Sequence, residues 1–448
     1  MSQTPIHDFV TAYDESGTVR AHMPGHKGRG PLGFERWDIT EIFGADALYE
    51  AEGIIAESEA RATAHFGFGR TLYSTEGSSQ CIRAMLFLAA GLHRGEGRPV
   101  ILAGRNVHKA FIHACALLDL EVRWLMPEGD AADTVCSCAI TPEGLETALA
   151  GAQDGLCAVY ITAPDYLGGS PDITALAAVC RRHDLPLLVD NAHGAYLRFL
   201  QPSRHPIDLG AAISCDSAHK TLPVLTGGAY LHISADWLAR FGRDPKTALG
   251  LFGSTSPSYL ILQSLDLCNR YLEGYPQRLA RCVGEIDALK ARLQAHGYAV
   301  VPSDPLKLVL RDGAGGIALA DHLRRHGVEV EFADRGAVVL MLTPETTGGD
   351  FAAIEAALTC RIPQPVDNTE ALPGLPMPKQ ALSIRQAVFA PAERIPSRQA
   401  VGRICAVPTV ACPPAIPIAV SGEIITPEAA ATLLAYGIET IEVVRETI

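Results

Sequence analysis

Lys220 closes the stretch Ser217-Ala218-His219-Lys220, directly after residues 211–215, an apolar run of strand length. A lysine amine set among hydroxyl and imidazole groups can add to a carbonyl carbon as a Schiff base. Thirty residues upstream, the run 185–189 reads as a second buried strand and ends in Asp190-Asn191-Ala192-His193, so a carboxylate stands at the C-terminal edge of the same predicted sheet. An amine that binds an aldehyde and an anion that keeps a pyridine nitrogen protonated are the two groups that pyridoxal phosphate chemistry requires. Taken singly, each residue has an ordinary role. A lysine after a strand is usually a solvated loop residue, and an aspartate at a strand end usually shapes a turn or caps a helix.

The third requirement is an anion site, and Ser74-Thr75-Glu76-Gly77-Ser78-Ser79-Gln80 supplies a candidate ahead of the apolar run 81–92, which predicts a buried helix. A Gly/Ser turn opening a helix offers backbone N–H groups and hydroxyls where the helix dipole favours a phosphate. Ser78 or Ser79 could equally be a plain N-cap. Glu76 is unfavourable beside a phosphate, so its side chain is expected to turn away. A fourth piece is His108 in Arg105-Asn106-Val107-His108-Lys109, after the predicted strand 100–103, where an imidazole can stack on a flat ring and move protons. His113 is assigned to packing.

These residues need a scaffold that brings strand ends together. The short apolar runs 100–103, 157–162, 185–189, 211–215 and 228–233 alternate with helix-like stretches such as 173–183, which predicts an α/β fold with its ligand beyond the C-terminal strand ends. Residues 260–294 read as long helices leading into a smaller α/β domain with strands near 308–310, 329–332 and 337–341. The expected organisation is an N-terminal segment (1–45), a large domain (46–255), the small domain (256–362), a proline-rich linker (363–380) and a C-terminal domain (381–448).

Composition narrows the class. With 48% hydrophobic and 19% charged residues, a chain of 448 residues is globular and large enough for several domains. The first twenty residues are too polar for a signal peptide, and no apolar run reaches membrane-spanning length. The twelve cysteines lack paired C-x-x-C spacing, which suggests buried thiols in a reducing cytoplasm. Cys136-Ser137-Cys138 has no nearby histidine, so no metal site is assigned. A net charge of −13 argues against nucleic-acid binding and is compatible with a cationic small-molecule substrate.

Six segments in order resemble the Orn/Lys/Arg decarboxylase family, bacterial pyridoxal-phosphate enzymes of the aspartate aminotransferase fold type I. They are residues 21–28 (AHMPGHKG), 37–41 (WDITE), 217–223 (SAHKTLP), 254–259 (STSPSY), 399–404 (QAVGRI) and 413–417 (PPAIP). The resemblance implies a large domain with a mostly parallel seven-stranded sheet, with Lys220 binding the cofactor aldehyde and Asp190 pairing with the pyridinium. It further implies His108 stacked on the ring and Gly77, Ser78, Ser79, Ser217 and His219 around the phosphate. His193 would reach the ring oxygen, small Ala192 would let the ring lie close, and Thr255 and Ser256 would reach the partner's cofactor in a homodimer, or in a dimer of dimers. Glu76, Asn191 and the pair Gly227-Gly228 depart from the better-known members, and the length leaves no room for the extra N-terminal domain of the long ones.

The implied reaction is decarboxylation of a basic L-amino acid, arginine first, with lysine and ornithine close behind. Transamination or β-elimination would use the same residues, and a non-catalytic binding protein on the same fold is a third reading. Arg335 and Arg403 are candidate clamps for a substrate carboxylate or simply structural charges. Asp46, Glu50, Glu331 and Asp334 are candidate partners for a cationic side-chain end.

Overall fold

The computed structural model describes residues 3–127, 136–151, 155–366, 377–407 and 416–446. Residues 413–415 of the C-terminal motif and most of the proline-rich linker lie outside this set. A seven-stranded sheet is built from β1 (Arg70–Ser74), β2 (Val100–Gly104), β3 (Glu121–Leu125), β4 (Leu156–Thr162), β5 (Leu187–Asp190), β6 (Ile213–Asp216) and β7 (Ala229–Ile233). Their order across the sheet is β1-β7-β6-β5-β4-β2-β3. β5 runs parallel to β6 and β2 to β3, whereas β7 runs antiparallel to both β6 and β1. The expected mostly parallel seven-stranded α/β sheet is therefore present.

The sheet's central runs are strands because they are apolar on both faces: Leu187, Leu188, Val189, Ile213 and Cys215 are all buried. Burying each large aliphatic side chain contributes about 1.5–3 kcal/mol, which fixes the strand ends that carry polar residues.

The chain divides into two compact units. The first comprises Met1–Gly97, Gly155–Tyr160 and Ile173–Pro276. In it the helix Gly77–Ala90 buries Cys81, Ile82, Met85, Leu86 and Leu88, while the amphipathic helix Ile173–Arg182 buries Ile173, Leu176 and Val179 and ends on Arg181 and Arg182, cations that suit a helix C-terminus.

The second unit comprises Arg98–Asp154, Ile161–Asp172 and Gln277–Ile448. It holds an antiparallel sheet of β8 (Ala299–Val301), β9 (Lys307–Arg311), β10 (Phe332–Ala333) and β11 (Val338–Met341) in the order β10-β11-β9-β8, and a hairpin of β12 (Ala392–Pro396) with β13 (Thr440–Val444). The strand expected over 329–332 shrinks to Phe332–Ala333, since only β11 flanks this edge. Arg105, at the end of β2, forms a two-pronged ion pair with Glu423 at 2.5 and 2.7 Å and lies 4.6 Å from the Trp124 ring centroid. Both members of the pair are buried, so the C-terminal residues are locked to the end of β2 by a desolvated, fully directional contact.

Candidate active site

β5 and β6 end at one sheet edge, with Asp190 in register opposite Cys215. Asp190 is only 2% exposed. One carboxylate oxygen accepts from the Ala192 N–H at 3.2 Å and the other from the Tyr160 hydroxyl at 3.3 Å. Burial pushes its carboxyl above the usual range, and the nearby Lys220 charge, the Ala192 N–H and the Tyr160 hydroxyl oppose that rise. A carboxylate in this position is best stabilised by a permanent cation beside it.

Lys220 sits one turn beyond β6, in the short helix Ala218–Thr221, and is half-buried. Its Nζ lies 2.9 Å from His193 Nε2. An ammonium can only donate, so against a protonated lysine His193 accepts through Nε2 and keeps its ring proton on Nδ1. Ala192, between Asp190 and His193, is buried and adds no bulk above the strand end.

The serine turn lies in the same unit. The helix it opens begins at Gly77 with Glu76 at the N-cap position, so Ser78 and Ser79 stand in the first turn and neither is the cap. Ser217 Oγ donates to Ser78 Oγ at 2.9 Å, which joins the lysine segment to the helix start. The Glu76 carboxylate accepts from the Ser254 N–H and is thereby committed to the segment carrying Thr255 and Ser256, both exposed.

Gly227 and Gly228 explain one departure from the resembling family. The Gly77 N–H donates to Gly227 O at 2.7 Å, while a Cβ on Gly227, whose φ is +101°, would stand 3.0 Å from Thr75 O. A Cβ on Gly228 would fall 2.2 Å from Val224 Cγ1. The pair lets one loop press against another. Gly228 O also accepts from His219 Nδ1 at 3.0 Å, which fixes that ring.

Beneath this edge is a polar network that residue spacing in the sequence does not reveal. Asp216, the last residue of β6, accepts from Asn191 Nδ2 at 2.8 Å, His205 Nε2 at 3.0 Å and His232 Nε2 at 3.2 Å. Asp216, Asn191, His205 and His232 are all fully buried. Burial opposes ionisation of Asp216, yet the two imidazoles outweigh it and hold the carboxyl well below its usual range. Burial pushes His232 down, towards the neutral form. Asn191, the second departure, is thus the amide that ties the end of β5 to the end of β6. Asp216→Asn should lower stability by about 3 kcal/mol, because an amide oxygen cannot replace a carboxylate that accepts three buried donors. The carboxylate's contribution is fully present above its unfolded-state value and lost as pH falls through the depressed folded one. The loss should therefore appear in the denaturation midpoint at neutral pH; an unchanged midpoint would show that the network is dispensable.

His108 belongs to the second unit, where it N-caps the helix Lys109–Leu118 and its Nδ1 accepts from the Ala110 N–H at 3.2 Å. His113, assigned to packing, is exposed on that helix. Arg403 pairs with Glu393 at 2.7 Å and Glu446 at 3.1 Å, a structural role on the C-terminal hairpin. Asp334 shapes a turn by accepting from the Gly336 and Ala337 N–H groups at 2.8 Å, and Glu331 accepts from the Tyr166 hydroxyl at 2.6 Å. In the first unit Asp46 is occupied by the N–H groups of Ala47, Gly53 and Ile55. Glu50 is exposed, as is Arg335.

A lysine amine, a desolvated carboxylate and a hydroxyl pair at a helix start together match the aldehyde, ring nitrogen and phosphate of pyridoxal phosphate in chemical type, so the donor set fits that cofactor. Comparison with known proteins points the same way. The profile described as Orn/Lys/Arg decarboxylase, major domain, matches residues 4–308. The chain is 29% identical to the uncharacterized protein YaaO of Bacillus subtilis, over 95% of this chain and 92% of that one. It is equally 29% identical to an arginine decarboxylase of Halalkalibacterium halodurans, over 95% and 91%. Among solved structures, a lysine decarboxylase of Francisella novicida superposes with a TM-score of 0.81 at 17% identity, covering 99% of this chain and 81% of that one. With the major-domain profile spanning more than half its length, the chain belongs to the Orn/Lys/Arg decarboxylase family of pyridoxal-phosphate-dependent decarboxylases.

Proposed function

We propose that this enzyme decarboxylates a basic L-amino acid, with arginine as the favoured substrate and agmatine as the product. The observation that carries the chemistry is Lys220 Nζ at 2.9 Å from His193, with buried Asp190 close enough for the lysine charge to act on its carboxyl. The choice of arginine rests on the similarity to an enzyme named arginine decarboxylase along nearly the whole chain.

Pyridoxal phosphate, when bound, supplies an aldehyde carbon for the substrate amine and a ring that takes up the electrons of the breaking Cα–carboxylate bond. The chain's part is to bind, orient and manage protons. Lys220 would hold the aldehyde carbon between turnovers and release it as a neutral amine. His193 Nε2 can accept the proton that the lysine must lose. Asp190, kept from water, would hold a proton on the ring nitrogen, and the Ala192 N–H and Tyr160 hydroxyl keep its oxygens aimed. Ser78 and Ser217, joined through their hydroxyls, would donate to the phosphate together with the N–H groups of the first helical turn and His219. Gly77 keeps the chain thin at that turn, and Ser79 stands one residue further along the helix start.

On the same reading His108 stacks on the ring, and the exposed Thr255 and Ser256 serve the phosphate of a second copy, which makes the active species a symmetric dimer. A cytoplasmic setting agrees with the described cysteines, none of which forms a disulfide, and no helix among the described residues is long and apolar enough to cross a membrane.

The test is a panel of L-arginine, L-lysine and L-ornithine with pyridoxal phosphate, scored for carbon dioxide and amine, with sedimentation giving the mass of the active species. Agmatine formation fastest of the three, by a dimer or larger assembly, is the expected result. Keto acid without carbon dioxide would replace decarboxylation with transamination, and cadaverine or putrescine as the main product would move the specificity.

A further inference from the structure

Two clusters of metal-type side chains occur among the described residues, and only one is open to a ligand. The buried set of His205, Asp216 and His232 is consumed by its own hydrogen bonds, as described above. The other, His322, His326 and Cys360, lies in the second unit and reaches solvent, with His326 and Cys360 exposed.

His322 lies in the helix Gly316–Arg325 and His326 caps its C-terminus, four residues on, so the two rings project from one face with centroids 4.3 Å apart. Cys360 caps the C-terminus of the helix Gly348–Thr359 and brings its thiol to the pair. Cys360 Sγ is 3.7 Å from His322 Nε2 and 3.6 Å from His326 Nε2. Those two edges are informative. A tetrahedral zinc ion with Zn–S near 2.3 Å and Zn–N near 2.0–2.1 Å requires S···N edges of about 3.5 Å. Both S···N edges therefore fall close to those of such a site, and all three ligand atoms lie within 4.8 Å of one another.

The surrounding contacts fix which ring nitrogen carries each proton. His326 Nδ1 donates to the His322 carbonyl at 2.9 Å, which places that ring's proton on Nδ1 and turns Nε2 towards the sulfur as an acceptor. His322 Nε2 now donates to Ala357 O at 2.7 Å, so it would exchange that contact for the ion and carry its proton on Nδ1 instead. Among the described cysteines Cys360 alone is exposed, and its thiol donates to Ala357 O at 3.3 Å, a contact that coordination would replace.

We propose that His322, His326 and Cys360 form a site for a zinc-class divalent cation, with water at the fourth position, which staples the C-terminal ends of two helices in the second unit. On binding, the Cys360 S–H bond breaks, a metal–sulfur bond forms, and one proton leaves to solvent; no electron is transferred. Nitrogen and thiolate donors favour zinc over calcium or magnesium, which take oxygen. None of the three residues belongs to the candidate active site, so loading is expected to change local stability and thiol reactivity rather than the decarboxylation chemistry.

The experiment is a Co²⁺ titration of the cofactor-loaded enzyme, followed by Zn²⁺ competition. About one equivalent of Co²⁺ should produce the intense visible bands of a tetrahedral ion and a sulfur-to-metal charge-transfer band, both erased by Zn²⁺. Cys360→Ser should lose the charge-transfer band and His326→Ala the tetrahedral bands, with circular dichroism reporting that both variants remain folded. In parallel, Zn²⁺ should slow alkylation of Cys360 by iodoacetamide by at least about tenfold, as mapped by mass spectrometry, since the coordinated sulfur is withheld from the reagent. Spectra identical in wild type and Cys360→Ser, or Cys360 alkylated equally fast with and without Zn²⁺, would overturn the site and leave a hydrogen-bonded cluster only.

Discussion

Lys220→Ala should abolish turnover, by roughly 10³-fold or more, and remove the cofactor that borohydride otherwise fixes to the chain. The argument rests on what the neighbouring side chains can supply. Lys220 is half-buried, one turn past the end of β6, and its amine faces an imidazole acceptor at 2.9 Å. An alanine there leaves His193 and Asp190 in place but no amine to hold the aldehyde or to exchange with the substrate. The hydroxyls of Ser78 and Ser217 remain, so the variant is expected to keep weak, non-covalent cofactor binding. That residual binding distinguishes loss of chemistry from loss of fold. Lys246 and Lys307 cannot substitute, because each is buried in its own ion pair, with Glu59 and Asp304 respectively. Peptide mapping after borohydride reduction is the check. A reduced cofactor found on another lysine of the wild-type enzyme would remove Lys220 from the reaction.

The parts of the site that could be read from sequence are those where burial and chemistry fall in separate residues. Leu187-Leu188-Val189 announces a buried strand, and Asp190 after it announces a polar strand end; the same holds for β6 and the lysine segment. Strands whose polar residues are themselves buried carry no such signal. β1 is not among the apolar runs because polar residues interrupt Arg70-Thr71-Leu72-Tyr73-Ser74, yet Thr71 and Ser74 are fully buried and Thr71 Oγ1 bonds His232 Nδ1 at 2.9 Å. β3, with Glu121 and Arg123 half-exposed at the sheet edge, lacks an apolar run for the same kind of reason.

Long-range polar contacts are the other gap. Nothing in the spacing of Asn191, His205, Asp216 and His232 says that three donors converge on one carboxylate, because the pairing depends on strand register. The histidine pair at 322 and 326 has helical spacing that can be seen in the sequence, but Cys360 joins it only through the packing of two helices. Glu76 shows the converse. An acid beside an anion site is expected to turn its charge elsewhere, and the Glu76 carboxylate accepts from the Ser254 N–H.

Asp190→Asn should leave the cofactor bound and cut turnover by roughly 10²-fold or more, since an amide cannot hold the ring nitrogen in its charged form. The substitution is close to isosteric, and the site limits its side effects. The amide oxygen can keep a contact to the Ala192 N–H or to the Tyr160 hydroxyl, while Lys220, Ser78 and Ser217, which would hold the aldehyde and the phosphate, are unchanged. Stability supplies a second, independent readout. Because burial raises the Asp190 carboxyl above its unfolded value, its ionised form costs the cofactor-stripped protein stability as pH rises through the window between the ordinary carboxylate range and the raised folded one. Asparagine removes that cost. The stripped variant should therefore unfold at the same temperature as wild type or higher at neutral pH, while the loaded variant is nearly inactive. This opposition between a stable scaffold and failed chemistry is what a counter-ion role demands and what a purely structural role would not give. Near-normal turnover in a folded Asp190→Asn enzyme would show instead that another residue supplies the negative charge.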